Sequence, residues 1–435
     1  MNSIRFGAGL LVCLCLAVGL ASAEDWPNWR GPAFNGTSSE KGLPASWSTT
    51  ENIAWATPMP GMSSATPVIW GDHVFVSSTE ARTKSLLAMC LDAKTGKVLW
   101  RHEMGKDRPA LSSNTMASPS PITDGKRVWF YYGSGLLAAF SVEGKPLWSR
   151  DLEKELGEFI VKYGYSSSPL LYKGKLFVEL LQNEDPAKYH ASNRDAKLPS
   201  YLMAINPLTG KDIWKVERKT DARDEAQEAY TTPIFYETEK RSEVLVHGGD
   251  YVTSHDPETG GELWRWGYDT ARQPRWRLIP SLVAGDGLIY GARPRASSLF
   301  AIKAGGEGVL NDACLAWKYD GQTTDASTPL LYDGRLYVLN GEAHDLICLD
   351  AKTGQLKWRG DLKVGSVLFA SPTGADGKVY CISESGDAVV VEAGDQFKVV
   401  SRTPMGEGPC RSTIAVAGGR LFIRTAKNLY CVGGK

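Results

Sequence analysis

Beyond its first twenty residues the chain has no apolar run long enough to cross a bilayer, which excludes a membrane-spanning helix in the mature protein. It has no excess of either charge: 49 Lys and Arg balance 49 Asp and Glu, for a net charge of zero. That balance, with no local block of one sign, excludes the electrostatic footprint of a nucleic-acid partner or an anionic membrane surface. Histidine is scarce. His73, His102, His190, His247, His255 and His344 show no metal-ligand spacing, and His102-Glu103 lacks the second histidine of a zinc-protease helix. The chain contains no GxSxG, HExxH, GxxxxGK[ST] or GxGxxG, so the nucleophile elbow, the zinc helix and the phosphate-binding loops are all missing. Neither a catalytic set nor a metal site is assigned. Helix-forming stretches are few; the best are 153–161 and 222–229, both in connections.

Cysteine is sparse too, with no Cys-x-x-Cys and no adjacent pair. Six cysteines lie beyond the N-terminal segment: Cys90, Cys314, Cys348, Cys381, Cys410 and Cys431. Cys90 and Cys348 occupy the same position of a repeated motif, and equivalent positions of a ring lie farther apart than the roughly 7 Å Cα limit of a disulfide. Cys381 with Cys410 is the one pair worth testing; the expectation is six free, buried thiols.

What is abundant is glycine, tryptophan and tyrosine, at 45, 14 and 17 residues. They fall into a repeat. Its first half is Ser/Thr-x-Pro-apolar, a Gly turn, then an apolar-aromatic strand, as in Ala65-Thr66-Pro67-Val68, Thr232-Pro233-Ile234 and Thr328-Pro329-Leu330. Its second half is an apolar strand, a Thr-Gly turn and a strand carrying tryptophan. Leu91-Asp92-Ala93-Lys94-Thr95-Gly96 with Trp100, and Leu349-Asp350-Ala351-Lys352-Thr353-Gly354 with Trp358, are the clearest copies. First halves begin near Ser64, Ser118, Ser167, Thr231, Ser281, Ser327, Ser371 and Ser412, a spacing of roughly fifty residues that corresponds to four short strands per unit. The last unit ends without its tryptophan strand, and 52–57, containing Trp55, is that strand at the other end of the chain. A ring must join its ends to avoid exposed edges. The fold expected is all-β: an eight-bladed β-propeller of four-stranded antiparallel blades, closed by pairing of N-terminal and C-terminal strands.

The N-terminus reads as a cleaved signal peptide over 1–23: Arg5, an apolar stretch over 7–20, and Ala21-Ser22-Ala23 as the cleavage site. Residues 24–51 form a leader and 52–435 the propeller. The mature chain is expected outside the cytoplasm, in the periplasm or beyond, and soluble.

The Ala-x-Asp-x-x-Thr-Gly-Lys-x-x-Trp pattern resembles the tryptophan-docking repeat of quinoprotein alcohol dehydrogenases, and it is similar to that of BamB-like assembly proteins of the bacterial outer membrane. The resemblance runs from about Ile53 to the C-terminus. It implies a pyrroloquinoline-quinone-like propeller in which Trp100, Trp148, Trp214, Trp264, Trp317 and Trp358 pack on a neighbouring blade, with Trp55 the equivalent on the closing strand. The opening Trp26-Pro27-Asn28-Trp29-Arg30-Gly31-Pro32, with Asn35-Gly36, looks like the leader of exported propellers of planctomycete-type bacteria. Quinoprotein dehydrogenases carry calcium ligands, a catalytic aspartate and an adjacent cysteine pair beside the quinone. No Cys-Cys occurs here and their calcium and acid motifs find no match, so pyrroloquinoline quinone and calcium are not assigned. Asp325 and Asp250 are read as solvated loop aspartates.

The Thr-Gly turns mark one face. The long connections 105–117, 153–166, 183–200, 218–230 and 268–280 crowd the other, where binding is expected. Residues just before each inner strand should ring the channel there: Asn114, Met116, Tyr165, Tyr230, Arg277, Asp325, Phe369 and Arg411. Arg277 and Arg411 suit an anionic group, and Tyr165, Tyr230 and Phe369 a planar one. The functional expectation is a non-catalytic scaffold or binding propeller of the cell envelope, with envelope proteins or a small ligand as partner. The alternatives are a quinone-dependent oxidoreductase and a carbohydrate-binding propeller using Tyr189, Tyr201 and Trp276.

Overall fold

The computed structural model describes residues 24–108, 114–185, 187 and 198–434. The expected signal peptide and Tyr189 lie outside these residues. Eight sheets are arranged as blades, each with its strands in order from the channel outward; seven of them take their four antiparallel strands in chain order. The eighth takes Ala415–Ala417, Arg420–Arg424 and Asn428–Val432 from the C-terminus and its outermost strand, Ile53–Pro58, from the N-terminus. Trp55 pairs directly with Cys431 in that sheet. The closing strand converts what would be an open hydrogen-bonding edge into an interior one. All six cysteines are free; five are buried and Cys314 is half-buried.

The repeat motif explains how blades lock together. In the turn between the third and fourth strands, Asp92 Oδ1 accepts from the backbone N–H of Lys94 and Thr95 and from the Thr95 hydroxyl. Asp256 and Asp350 repeat the arrangement with Thr259 and Thr353. Such an Asx turn needs a residue with positive φ to close it, and Gly96 supplies φ +71°. The same glycine seats the tryptophan of the preceding blade. A Cβ on Gly96 would lie 2.6 Å from the Trp55 ring, and one on Gly144 2.5 Å from that of Trp100. Each indole N–H then donates to a carbonyl of the turn it covers: Trp55 to Ala93, Trp100 to Val142, Trp148 to Pro207, Trp214 to Pro257, Trp317 to Ala351 and Trp358 to Gly394, at 2.8–3.2 Å.

Trp264 departs from the expected pattern. Its indole donates to Glu243 Oε2 of its own blade. The next blade lacks the short Thr-Gly turn and carries a longer one over 305–311. From that turn Gly308–Leu310 adds as a parallel strand beside Glu262–Gly267, placing Gly308 opposite Trp264. The indole two residues on, Trp266, makes the contact instead, donating to Asp312 Oδ1 at 3.0 Å. With blades numbered in chain order from the one that begins at Val68, blade 7, spanning Thr373–Ala375 to Val399–Pro404, has no tryptophan on its outer strand, and the leader compensates there. Trp47 is buried with the facing residues of blades 7 and 8, and its carbonyl accepts from Thr403 Oγ1.

Regular helix is confined to connections. Residues 153–161 form one short α-helix, Leu152–Leu156, ended at Gly157, and 222–229 a single 3-10 turn, Asp224–Gln227. Both are shorter than the sequence suggests, because loop packing rather than helix propensity decides them. Among the described residues no helix is long and apolar enough to cross a membrane.

Candidate functional site

The channel is built from the extended segment that leads into each innermost strand. Proline follows the Ser/Thr in six of the eight copies and holds that residue extended. Extended backbone alternates its side chains, so two positions per blade face the lumen and the residue between them faces the blade. The deeper position is a hydroxyl in every blade: Thr66, Ser120, Ser168, Thr232, Ser281, Thr328, Ser371 and Thr413. The backbone N–H of seven of the eight donates to the hydroxyl of the next blade, as in Thr66 to Ser120 at 2.9 Å and Ser281 to Thr328 at 3.0 Å. Seven junctions are made this way, including the one across the ring closure from Thr413 to Thr66. Blades 7 and 8 are joined by Thr373 Oγ1 donating to the Ile414 carbonyl at 2.6 Å.

The leader closes this channel on the short-turn face. Trp26 exchanges backbone hydrogen bonds with Ile69 of blade 1, and the Pro27 carbonyl accepts from Thr123 of blade 2. The segment then passes Phe235 of blade 4, whose ring meets Phe34 edge-on, and reaches Gly374 of blade 7. Trp29 lines the cavity as its floor. Arg30 is fully buried and donates to the carbonyls of Pro329, Pro372 and Asn35. Desolvation pushes its guanidinium down to about 9. Gly36 has φ +86° and no room for a Cβ, which would lie 2.3 Å from that guanidinium. The result is a blind cavity of roughly 340 Å³.

The expected residues divide cleanly. Asn114, Tyr230, Arg277, Phe369 and Arg411 line the cavity. Arg411 lies over the Phe369 ring at 5.3 Å, is ion-paired with Glu384, and reaches Asn114 Oδ1 at 3.3 Å. Arg277 stacks on Tyr163 at 5.0 Å and is paired with Asp325 at 3.3 Å. Tyr165, Asp325 and Met116 do not face the lumen. Tyr165 is buried against Tyr131 and Phe159, its hydroxyl donating to the Glu179 carbonyl. Asp325 holds Arg277 and the Arg295 N–H. Met116 is buried inside the second blade's cluster. Tyr165 and Asp325 each sit one residue before a lumen position, Ser166 and Ala326, and a one-residue shift turns a side chain to the opposite face. Sequence reasoning missed Tyr163, the floor pair Trp29 and Arg30, and the belt of hydroxyls. The recurrent Ser/Thr-Pro dipeptide was the signal for the belt.

Asp250 is also not solvated. It is fully buried, its two carboxylate oxygens have no partner among the described residues, and burial together with Asp269 pushes it up to about 7. Of the aromatic residues suggested for a glycan, Tyr201 carries Lys215 over its face at 5.0 Å and Trp276 carries Arg293 at 5.4 Å.

Residues 37–178 and 248–399 match the family model of the outer membrane protein assembly factor BamB. The chain belongs to that family. Two curated relatives of this BamB-family propeller are both named polyvinylalcohol dehydrogenase, each 25% identical. The one from a Pseudomonas species matches 46% of the chain and 30% of its own length; the one from Sphingopyxis sp. strain 113P3 matches 83% and 55%. The chain thus spans about a third to about half of those relatives. In structure it resembles BamB from Moraxella catarrhalis, with a TM-score of 0.61, 13% identity, and 88% of this chain and 97% of that one covered. It also resembles the quinohemoprotein alcohol dehydrogenase from Comamonas testosteroni, with a TM-score of 0.67, 14% identity, and 94% and 81% covered. These likenesses are of fold.

A quinone held with calcium does not fit the residues present. Calcium takes six to eight oxygen ligands, carboxylates prominent among them. Among the described residues no Asp or Glu lines the cavity of this propeller, and two arginines stand at its mouth.

Proposed function

We propose that this chain acts by binding: an exported propeller of the cell envelope that receives a small ligand, or an extended segment of an envelope protein, in its blind channel from the long-loop face. One observation carries the reading. The cavity offers hydroxyls, aromatic faces and two arginines, and among the described residues no carboxylate, histidine, cysteine or lysine lines it to act as base or nucleophile. Native mass spectrometry of protein purified from its own source is expected to retain a small molecule or a partner chain. Phe369→Ala with Arg277→Met at the mouth should release it; retention unchanged in that double variant would place the contact elsewhere and end the reading.

A second reading, an alcohol-oxidising oxidoreductase, is favoured by the name polyvinylalcohol dehydrogenase that the two curated relatives share, and the resemblance of the repeat would make its cofactor a quinone. It predicts that pyrroloquinoline quinone with calcium raises the melting temperature and supports dye reduction with an alcohol. No shift at saturating ligand removes it.

A further inference from the structure

The hydroxyl belt narrows the chemistry of the ligand, an inference that rests on the binding reading above. All eight hydroxyl side chains are on residues more than nine-tenths buried, and all line the cavity. A hydroxyl has one proton and two lone pairs. In seven of the eight, one lone pair already accepts a backbone N–H from the preceding blade. None of those seven protons has an acceptor among the described residues, so they are available to the lumen. A ligand oxygen entering the lumen can accept several of these protons at once in place of water.

Charge runs in the same direction. Arg277 and Arg411 stand at the mouth, and their carboxylate partners, Asp325 and Glu225 for the first and Glu384 for the second, do not line the cavity. Beneath the belt, Arg30 bonds only to carbonyls, has no ion pair among the described residues, and leaves its Nε unpartnered. A buried guanidinium without a counter-ion is costly. Two of the carbonyls it uses, Pro329 and Pro372, directly follow the belt residues Thr328 and Ser371. Arg30 does not line the cavity itself; it lies behind the ring of donors, bonded to the carbonyls next to two of them.

We propose that the channel is an oxyanion site: a carboxylate or phosphate group, carried on the end of a slender ligand, seats among the belt hydroxyls above Trp29. The cavity volume is at the low end for small-molecule sites, which suits a chain end rather than a bulky ring system. Among the described residues the wall presents protons and arginines and no carboxylate, so a neutral polyol gains less there than an oxyanion does.

The test uses the full mature chain. Its melting temperature is followed during titration with inorganic phosphate, with acetate and with the neutral polyol xylitol, ionic strength being held constant with sodium chloride. Crystals soaked in tungstate, a heavy phosphate analogue, locate the ion by anomalous scattering. Phosphate or acetate should raise the melting temperature saturably beyond chloride, and the tungstate peak should lie within the belt. Ser281→Ala and Thr328→Val should each weaken binding roughly tenfold or more, the worth of a hydrogen bond to a charged group. Thr232→Ser, which keeps the hydroxyl, should bind as the parent does and controls for folding. A response no larger than chloride's, or a tungstate peak outside the channel, overturns the proposal. If xylitol binds in place of the oxyanions, the anion inference falls while the binding reading stands; if no probe binds, the binding reading loses its support as well.

Discussion

Arg30 shows how much a single side chain can decide. It joins the carbonyls of blades 6 and 7 to the leader, and Gly36 exists in its present conformation because any Cβ there would strike the guanidinium. Gly36→Ala combines a positive φ with that clash and is expected to lower stability by about 1–3 kcal/mol, read from the urea midpoint. Buried titratable groups shape the pH response, Asp250 and Glu179 on the alkaline side and His255 and His247 on the acid side. Glu179 is buried beside Thr231, and desolvation holds its carboxyl up at about 8. The unfolded chain ionises near the ordinary value while the folded one keeps its proton, so stability should fall as pH rises from about 4.5 to about 8. His247 is buried and pushed down to about 3. The unfolded chain binds a proton there first, so stability should also fall as pH drops below about 6.5. Glu179→Gln should flatten the alkaline slope of the urea midpoint and leave the acid slope in place; an unchanged alkaline slope would refute the assignment.

At the scale of the element, the unit is a tryptophan strand with the Asx turn it covers. Trp100 illustrates it: its indole donates to Val142 and packs on Phe140 and Gly144 of the next blade. Trp100→Ala should cost about 3–5 kcal/mol, in line with large-to-small changes at buried aromatic sites. Leu99, next to it and 51% exposed, should tolerate alanine within about 0.5 kcal/mol. Equal losses at the two positions in thermal denaturation would mean that docking is not what holds adjacent blades together. Blades 4 and 5 vary the theme. There the short turn is replaced by a longer one, and the contact passes from Trp264 to Trp266.

For the whole molecule, the N-terminal residues do two jobs in succession. Residues up to Trp47 close one end of the channel and fill the gap between blades 7 and 8, and Ile53–Pro58 completes the last sheet. Truncations should separate them. A chain beginning at residue 49 is expected to elute as the parent does but melt several degrees lower, having lost Trp26, Leu43 and Trp47 from the core. A chain beginning at residue 59 exposes Asn428–Val432 as an unpaired edge and should elute as oligomers or aggregates in size-exclusion chromatography. A monomeric second truncation would mean that closure is dispensable.

The repeat itself carries the blade count, the pairing of Trp55 with the C-terminal strands and the face on which the long loops lie, because each follows from a local pattern recurring eight times. Only part of the channel was legible in that pattern. Tyr230, Phe369 and Arg411 were found in the lumen where the spacing put them, whereas Tyr165 and Asp325 fell one residue out of step. On an extended segment a single residue separates the lumen from the blade interior, and repeat spacing does not resolve boundaries that finely. The belt's hydrogen bonds run between blades, and Arg30 reaches a carbonyl 342 residues away. The Ser/Thr-Pro dipeptide marks the belt residues in the chain, but these contacts between them and with Arg30 exist only once the ring has closed and brought its two ends together.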